Sequence, residues 1–566
     1  MDKKWVLKTD TDINLVDKLS KELNIAPDLT SILVQRGISS FEEAKSFFRP
    51  SLSQIHDPFL MKNMDQAVNR LCDAVFNNEK ILVYGDYDVD GTTSVAMVYS
   101  FLNEFTNQVE FYIPDRYTEG YGISDKGVKW AVENDFSLMI ALDCGIRAVD
   151  KVELANSLEL DMIICDHHLP GEKVPDAIAV LDPKQDGCKY PFKELSGCGV
   201  GFKLLQGFLQ QNTIPLERLF EYLDLVAVSI GSDIVPIIGE NRILAYYGLK
   251  KLNQDPSMGL KSLRDVSGMK KDMSISDVVF YLGPRINAAG RLTHAKESVN
   301  LLISKSENDL LELSQTLNQR NADRKDFDKA ITTEALEMIE KDFPTTKSSV
   351  LFKKDWHKGV VGIVASRCIE HYYRPTIILT ESEGKATGSA RSVNGFDVHE
   401  AIGKCSHLLE QFGGHTHAAG LTLTLENVDA FRNAFEKVVS ETITSDQLIP
   451  KLPIDQKVNL EFINFKTINI LNQMAPFGPL NLQPLFWSEN VFVKNEPRLI
   501  KDVHMKLMVY QKKYVPGFDA IAFGFGEWVE IIEPNKPFQI AYHIEENEFQ
   551  GNKTLQLNVK DIKLAE

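Results

Sequence analysis

The stretch that decides the fold is 85-GDYDVDGTTS-94, in which three aspartates occupy alternate positions ahead of a glycine. The pattern DxDxDG also opens a calcium-binding EF-hand loop, which needs a bidentate glutamate at its twelfth position. Counted from Asp86, that position is Met97, so an EF-hand is excluded. "KILVYG" before the aspartates predicts a buried strand, and "TTSVAMVYSFLNEF" after them predicts a helix. The aspartates are therefore expected at a strand tip, where open α/β sheets bind their ligands.

Length, composition and charge limit the class of protein. The 566 residues are too many for one core, and 43% hydrophobic with 25% charged residues is ordinary for a soluble protein. No apolar run could cross a bilayer and the N-terminus lacks a signal-peptide core, so we expect a cytoplasmic protein without membrane contacts. The seven cysteines lack CxxC spacing, which predicts reduced thiols and no zinc ribbon. A net charge of −17 argues against a nucleic-acid coat protein, but a nuclease needs only a local basic groove.

The order of predicted strands and helices divides the chain into five parts. Strands that alternate with helices predict a mainly parallel sheet with helices on both faces. A charged stretch with few helix breakers at 305–340 predicts one long connecting helix. The predicted fold class is α/β, with a lead-in at 1–60, a parallel-sheet domain at 61–240, a helical connector at 241–344, a smaller α/β domain at 345–440 and a small β-barrel at 450–566.

Acidic and histidine residues follow several of these predicted elements. Asp88 and Asp90 follow the first strand, Asp143 in "ALDCGI" the third, His167 in "ICDHHLP" the fourth, and Asp233 in "SIGSDIVPI" an apolar helix. Because the carboxyl ends of parallel strands share one edge, we expect these five side chains to converge. Carboxylates with an imidazole suit Mn²⁺ or Mg²⁺ better than structural Zn²⁺. They could hold two ions about 4 Å apart, a pair that activates a water and neutralises a phosphoryl transition state.

Each of these residues also has a purely structural alternative. The aspartates at 86–90 could form a solvated acidic turn, and Asp143 and Asp166 could cap the segments that follow them. A histidine at a strand end is often structural. Independent structural roles at four element ends on one edge are together less plausible than a shared site, so the metal site is the preferred interpretation.

The order of the motifs supplies a family resemblance. "DYDVDG", "LDCG", "DHH" and "SDIVP" resemble, in this order, the four motifs of the DHH phosphoesterase superfamily. "IPDRYTEGYGIS", "GPRINAAGRL", "WHKGVVGIVASR", "GSARS" and "GGHTHAAG" resemble the RecJ family of single-strand-specific exonucleases. The likeness extends from Pro50 to Gly420 and less sharply to the end, although Leu480 and Leu482 depart from the glycine and proline common in the family. It implies a DHH domain, a DHH-associated domain at 345–440 and an OB-like C-terminal barrel.

The resemblance also implies ligands for two Mn²⁺ or Mg²⁺ ions. The implied set is Asp88, Asp90, Asp143 as the bridge between two metals, His167 and Asp233. His168 would support this set or contact the scissile phosphate. Many relatives have a histidine where this chain has Tyr84, so the first metal could be held weakly or Asp86 could substitute.

Several further motif residues are interpreted as contacts to nucleic acid. "GPRINAAGRL" is expected to form a small-residue loop whose arginines bind phosphate, with Arg285 near the scissile phosphate by resemblance. Arg285 could instead make a structural salt bridge, and Tyr121 could equally be a buried core residue instead of stacking a base. The substrate-binding set, which includes a pocket for a terminal 5′ phosphate, is Arg116, Tyr121, Arg285, Arg291, Ser389, Arg391 and His415.

These observations favour a metal-dependent 5′→3′ exonuclease that degrades single-stranded DNA to mononucleotides. The resemblance implies roles in repair and recombination, with single-strand-binding protein and helicase as partners and a monomeric state. The alternatives are a DHH phosphodiesterase acting on short RNA or cyclic dinucleotides, and a binding protein that kept the fold. The long helix would set a gap too narrow for a duplex, and the barrel would be a single-strand platform.

Overall fold

A computed structural model describes residues 2–9, 11–512, 517–549 and 551–565. The chain begins with one strand and three helices, which are β1 Lys4–Leu7, α1 Ile13–Leu23, α2 Pro27–Gln35 and α3 Phe41–Phe48. In the described ranges, no helix is both long and apolar enough to cross a membrane.

The next part is a five-stranded sheet in which all neighbouring strands are parallel, in the order β3-β2-β4-β5-β6. Its elements are α4 Met64–Phe76, β2 Ile81–Gly85, α5 Val89–Leu102, β3 Val109–Tyr112, α6 Asp125–Glu133, β4 Leu138–Leu142, α7 Val149–Ser157, β5 Asp161–Cys165, β6 Ala179–Leu181, α8 Gly197–Gln211 and α9 Leu223–Ser232.

Successive side chains of the central strands enter different cores. Ile81 and Val83 pack on one face of the sheet, whereas Leu82 and Tyr84 pack on the other. Both faces are covered by helices, which explains why β2 is apolar without alternation. The sheet thus directs the carboxyl ends of β2, β4 and β5 to one edge.

A helical connector follows this sheet. Its helices are α10 Gly239–Gln254, α11 Met258–Ser267, α12 Ile275–Asp277, α13 Gly283–Leu292, α14 Lys296–Ile303 and α15 Glu307–Asp342. The 36 residues of α15 make a rod about 54 Å long. The predicted loop at "GPRINAAGRL" is wrong, since these residues form α13. Its glycines permit tight packing: a Cβ on Gly290 would lie 2.9 Å from the carbonyl oxygen of Tyr87.

The smaller α/β part has a mixed five-stranded sheet in the order β10-β11-β9-β8-β7. Only β7 and β8 are parallel. Its elements are β7 Ser349–Phe352, α16 Val361–His371, β8 Thr376–Ser382, β9 Lys385–Arg391, α17 Val398–Gly403, β10 Gln411–His415, β11 Ala418–Thr424 and α18 Val428–Thr442.

The C-terminal part is a sheet in which β14, β18, β19, β17 and β16 are consecutive neighbours. A short pairing of Phe492 and Val493 with β16 joins the two ends of this series into a ring. The predicted α/β fold with an OB-like C-terminal domain is confirmed. The elements are β12 Lys451–Ile454, β13 Gln456–Lys457, α19 Phe465–Gln473, β14 Phe486–Val493, β15 Arg498–Ile500, β16 His504–Tyr510, β17 Phe518–Ala522, β18 Phe538–Phe549 and β19 Asn552–Leu564.

The N-terminal residues belong structurally with this C-terminal part. Leu29, Ile32 and Leu33 of α2 share a core with Phe486 and Met505, and β1 pairs in parallel with β12. The five-part division itself stays a prediction, because the lead-in at 1–60 has no core of its own among the described residues.

Candidate metal centre and anion site

The predicted metal-site residues all lie at the carboxyl edge of the parallel sheet. Asp143 directly follows β4, His167 lies two residues after β5, and Asp233 caps the C-terminus of α9. Asp143 has a φ of 59°, a left-handed conformation that is uncommon outside glycine and occurs often at functional sites. Its backbone N–H donates to the carbonyl of Cys165 at 2.8 Å, which fixes this strained tip against β5.

His167 is the centre of the cluster. Its Nε2 lies 3.2 Å from Asp143 Oδ1, 3.5 Å from Asp233 Oδ2 and 3.8 Å from Asp90 Oδ2. Within the described ranges, two triads place one potential ligand atom from each residue within 4.8 Å of the others. These triads are Asp90–His167–Asp233 and Asp143–His167–His168.

The electrostatics of this cluster fit a cation. Both ring nitrogens of His167 and Oδ1 of Asp143 are buried without a hydrogen-bond partner in the described structure. Burial lowers the pKa of His167, which favours the neutral imidazole that metals require. Burial and neighbouring carboxylates raise the pKa of Asp143 well above its usual range and that of Asp233 to about 8. An oxygen-rich set with one imidazole suits Mn²⁺ or Mg²⁺, as predicted.

The three aspartates of the opening stretch are not equivalent. Asp88 is the N-cap of α5 and accepts from the N–H of Gly91 at 3.1 Å. Asp86 is fully buried and accepts from the N–H of Gly122 at 3.3 Å. Neither residue belongs to the two triads, whereas Asp90 does. The ligand roles of Asp86 and Asp88 therefore stay predictions.

His168 is held beside the cluster by a residue outside the predicted set. Its Nδ1 lies 2.7 Å from Oδ1 of the buried Asp166, and its Nε2 lies 3.2 Å from the hydroxyl of Tyr121. Burial lowers the pKa of His168, but the hydrogen bond and charge of Asp166 outweigh this and raise it to about 9. Asp166 therefore orients a positively charged imidazole at the edge of the metal site, next to an exposed tyrosine.

A second cluster contains four half-buried arginines. They come from the loop after β3, from α13, from α15 and from β9, and are Arg116, Arg291, Arg324 and Arg391. Burial, together with the charges of the other three, lowers the pKa of Arg291 to about 10. No salt bridge neutralises any of the four within the residues described, although their neighbour Arg367 lies 3.9 Å from Asp328. Such an unneutralised cluster is suited to an anion.

The cluster extends across the small α/β sheet. Arg391 donates to the Ser389 hydroxyl at 2.7 Å, and its Nη2 would be 2.9 Å from a Cβ on Gly362 in the first turn of α16. Strand pairing sets Ala418 opposite Arg391, and His415 is exposed at the end of β10. Three separate motifs therefore meet around one position that is suited to an anion and also faces a helix N-terminus.

The two clusters are neighbours because of the loop at Tyr87. The guanidinium of Arg116 lies 5.0 Å from the centre of the Tyr87 ring, and Gly290, next to Arg291, packs against the Tyr87 carbonyl. The residue between Asp86 and Asp88 thus contacts the arginine cluster directly. A phosphate chain could extend from one cluster to the other.

Comparison with known proteins identifies the family. Family models match at residues 80–230 (DHH family, N-terminal domain), 345–441 (DHHA1 domain) and 454–561 (RecJ OB domain). Over 98% of its length the chain is 38% identical to the single-stranded-DNA-specific exonuclease RecJ of Bacillus subtilis (strain 168), of which it covers 70%. The chain belongs to the RecJ family.

Other RecJ proteins agree in sequence and in fold. The RecJ exonuclease of Escherichia coli (strain K12) is 31% identical over 95% of this chain and 96% of its own length. The crystal structure of Thermus thermophilus RecJ in complex with Mn²⁺ matches 100% of this chain and 80% of that chain, with a TM-score of 0.85 and 25% identity. The predicted family is thus confirmed, and Mn²⁺ is a metal that a RecJ of this fold binds.

Arg285 of this RecJ-family chain makes its hydrogen bonds within the helical connector. It is buried in α13, where its Nε donates to Asn318 on α15 at 2.9 Å and its Nη1 donates to the carbonyl of Tyr281 at 2.7 Å. Neither contact is the salt bridge that was its structural alternative. The role at the scissile phosphate stays a prediction.

Sequence reasoning missed two residues of the anion site. Arg324 lies within a long charged helix, where an arginine usually faces solvent, so it gives no local signal. Gly362 lies in "VVGIVASR", which was quoted only as a family motif. The signal that identifies both is spatial, since each approaches Arg291 or Arg391 from a different element.

Proposed function

We propose that this RecJ-family chain is a Mn²⁺- or Mg²⁺-dependent exonuclease that hydrolyses single-stranded DNA from its 5′ end and releases mononucleotides. One observation carries the proposal: a carboxylate–imidazole cluster adjoins, through the Tyr87 loop, four arginines that form no salt bridge within the described part of the chain. The arginines would hold the terminal phosphate of the DNA strand while the adjacent phosphodiester bond is cleaved at the metal cluster.

The residues proposed to hold the metals are Asp90, Asp143, His167 and Asp233, with Asp88 at the entrance. When bound, the two ions would supply an activated water and neutralise charge on the phosphoryl group during in-line displacement. His168, oriented by Asp166, would donate from Nε2 to a phosphate oxygen beside the cluster. A protein nucleophile is not needed for this chemistry.

The arginine cluster supports recognition of a terminal phosphate. A terminal phosphate monoester carries about −1.5 to −2 charges at neutral pH, whereas each internal phosphodiester carries one. Four converging guanidinium groups therefore favour the end of a chain over its interior. Ser389 and His415 would add hydrogen bonds beside Arg391.

The contacts between the two α/β parts support single-strand specificity. Arg291 donates to the carbonyl of Gly359 at 3.0 Å, and the Tyr117 hydroxyl donates to the carbonyl of Arg291. These bonds join α13 to the loop before α16 and to the loop after β3. The space between the two sheets is proposed to admit a flexible single strand and to exclude a rigid duplex. The OB-like domain would bind more of the strand.

The wider setting of the proposal follows from the family. We propose a monomer that acts in DNA repair and recombination in the cytoplasm, with single-strand-binding protein and a helicase as its partners. The proposed hydrolysis at the metal cluster does not depend on the oligomeric state, the location, the pathway or the partners.

The test uses one oligonucleotide sequence in four forms: single-stranded with a 5′ phosphate, single-stranded with a 5′ hydroxyl, blunt duplex, and a short RNA. Each is labelled at either end and incubated with Mn²⁺ or Mg²⁺, with Asp143→Ala as the inactive control. The expected result is early release of mononucleotides from the 5′ end of single-stranded DNA, fastest with the 5′ phosphate. Cleavage from the 3′ end, cleavage of short RNA alone, or binding without cleavage would each refute the proposal.

A further inference from the structure

Asp90 differs from the other residues of the metal cluster because both of its carboxylate oxygens already have hydrogen-bond donors. Oδ2 accepts from the N–H of Gly197 at 2.7 Å, and Oδ1 accepts from the N–H of Cys198 at 2.8 Å. The Ser229 hydroxyl lies 2.7 Å from the same Oδ1. Asp143 and His167, by contrast, have buried polar atoms without partners in the described structure. Asp90 is therefore fixed by the protein itself.

Two of these donors are the first backbone amides of α8. Ser196 caps that helix, and its hydroxyl accepts from the N–H of Gly199 at 3.1 Å. The free amides of a first helical turn point along the axis and favour a negative group. Here the negative group is a side chain from the first turn of α5, so the N-termini of the two helices meet at the metal cluster.

Gly197 also sets the position of a second carboxylate. A Cβ at this residue would lie 2.6 Å from both the Cβ and the Oδ1 of Asp143. No side chain larger than hydrogen fits there without moving Asp143. A single residue thus binds Asp90 through its amide and contacts Asp143 through its α-carbon, which fixes the spacing between the two aspartates.

The Ser229 hydroxyl adds a link to α9. It lies 2.7 Å from both Asp90 Oδ1 and the Ser196 hydroxyl. Because a carboxylate can only accept, the single Ser229 hydrogen is directed to Asp90. Ser229 lies four residues before Asp233 on the same run of helix, so this hydroxyl also couples Asp90 to the helix end that presents Asp233.

We propose that Ser196, Gly197, Cys198 and Ser229 form a clamp that positions Asp90 against Asp143 for metal binding. We call these four residues the Asp90 clamp. They are positioning residues, since none of them is expected to touch the metal or the DNA. The inference rests on the proposed function only in that the cluster binds Mn²⁺ or Mg²⁺.

The clamp is supported by a rigid base. Further along α8, the fully buried Lys203 donates to Glu240 and to the carbonyl of His56, each at 2.7 Å. A Cβ on Gly201 would lie 3.3 Å from the Leu142 side chain of β4. Since α8 is fixed both to the sheet and to α10, its first amides cannot follow Asp90 if that carboxylate moves.

The test is the affinity of the metal-free protein for Mn²⁺, measured by titration calorimetry without DNA. Ser229→Ala is expected to raise the dissociation constant of the tightest site roughly 10- to 100-fold, the range found when supporting residues of metal ligands are removed. Hydrolysis of single-stranded DNA by Ser229→Ala should recover when Mn²⁺ is raised, because the ligands themselves remain. A role limited to stability would not move the Mn²⁺ dependence.

The matched control is Ser488→Ala in the OB-like domain, where a fully buried serine donates to the carbonyl of Val458 at 2.7 Å. Its Mn²⁺ affinity should equal that of the wild type, whatever its loss of thermal stability. Ser196→Ala is a second variant in case Ser229→Ala does not fold, and it should weaken Mn²⁺ binding less.

The outcomes separate this inference from the proposed function. If wild type binds Mn²⁺ and degrades DNA while both clamp variants keep wild-type affinity, the clamp is refuted and the nuclease stands. If wild type binds Mn²⁺ but cleaves no DNA, the proposed exonuclease function is refuted. The Mn²⁺ affinities of the variants then still test the Asp90 clamp. If wild type binds neither Mn²⁺ nor Mg²⁺, both are overturned.

Discussion

Tyr84 occupies the strand position where the family resemblance implies a histidine, and its surroundings give it a different task. Its hydroxyl donates to the carbonyl of Gly122 at 2.9 Å and accepts from the N–H of Ser124 at 3.1 Å. The ring is fully buried and stacks on Tyr112 with centroids 5.4 Å apart. Tyr84 therefore fixes the loop whose Gly122 amide binds Asp86, and it lies in the core as a structural residue.

Tyr84→Phe should lower the free energy of unfolding by about 1–3 kcal/mol, because the carbonyl of Gly122 and the amide of Ser124 lose their buried partner. Urea denaturation measures this change. Mn²⁺ affinity should stay within about twofold of wild type. A large loss of Mn²⁺ binding without a loss of stability would show instead that the hydroxyl serves the metal.

Asp182 is a buried carboxylate at the end of β6 with only one oxygen satisfied. Its Oδ1 accepts from the N–H of Lys184 at 2.7 Å, and Oδ2 is buried without a partner in the described residues. Burial raises the pKa of Asp182 from 3.8 to about 7, although the Lys184 amide opposes the shift. The folded state therefore favours the protonated form. The contribution of protonated Asp182 to the free energy of unfolding is fully present below about pH 4 and is lost as the pH rises through about 7.

Asp182→Asn should gain stability relative to wild type as the pH rises, because the variant has no buried charge to create. With the pKa raised from 3.8 to about 7, the relative gain between about pH 5 and pH 8 is about 2–3 kcal/mol. Paired urea denaturation curves at the two pH values, at one saturating Mn²⁺ concentration, measure it. A difference that is independent of pH would show that Asp182 ionises normally.

The long helix α15 contributes chemistry as well as length. Arg324 extends from it into the arginine cluster, where its Nε is buried without a partner in the described structure and its Nη2 donates to Asn321 at 3.1 Å. The guanidinium thus has unused donors near Arg291, with the carboxylate of Asp328 as a further neighbour. An element that joins two domains also carries part of the site between them.

Arg324→Gln should raise the KM for 5′-phosphorylated single-stranded DNA about 10- to 100-fold, the loss expected for one charge-assisted hydrogen bond. The effect on a 5′-hydroxyl substrate should be smaller, and kcat should change little. Steady-state kinetics with both substrates measure this. Lys329→Gln, an exposed residue of the same helix, is the matched loss of charge and should behave as wild type. Equal effects on the two substrates would contradict a role at the terminal phosphate.

Prediction from sequence succeeded for elements with a strong local period and failed where distant contacts decide. The strand–helix alternation and α15 follow from hydrophobic spacing alone. The segment at 283–292 contains two glycines and a proline, which favour a loop, yet packing under Tyr87 makes it a helix. The sequence around Gly197 and Ser229 does not reveal their role, because their amide and hydroxyl contact Asp90, which is distant in the sequence. Leu480 has a φ of 58°, a left-handed conformation that favours glycine.

At the scale of the whole molecule, a buried arginine joins the OB-like domain to the helical connector that follows the metal domain. Arg242 on α10 is 4% exposed, and its guanidinium donates to the carbonyls of Phe47, Met474 and Ala475 at 2.8–2.9 Å. It also stacks 4.0 Å from the centre of the Phe47 ring. The carbonyl acceptors come from the N-terminal helices and from the end of α19, so three parts of the chain meet at one side chain.

Arg242→Lys tests whether this side chain is what joins the domains. A lysine keeps the charge but cannot reproduce the planar fork of donors, so several buried carbonyls would lose their partners, at about 1–3 kcal/mol each. We expect faster amide hydrogen exchange at residues 474–481 and an earlier, separate unfolding transition of the OB-like domain. Mn²⁺ binding should be unchanged, because the metal cluster has no direct contact with Arg242.

The matched control for this prediction is Arg374→Lys. Arg374 is similarly buried, and it donates to the carbonyl of Phe343 at 2.8 Å and to the Ser349 hydroxyl at 2.8 Å, inside the small α/β domain. The same chemical change should therefore loosen that domain and leave exchange at 474–481 as in wild type. If both variants accelerate exchange equally at 474–481, the chain unfolds as one unit. The whole interface, and not Arg242 alone, would then hold the OB-like domain in place. If Arg242 alone held it, exchange at 474–481 would be faster in Arg242→Lys and unchanged in Arg374→Lys.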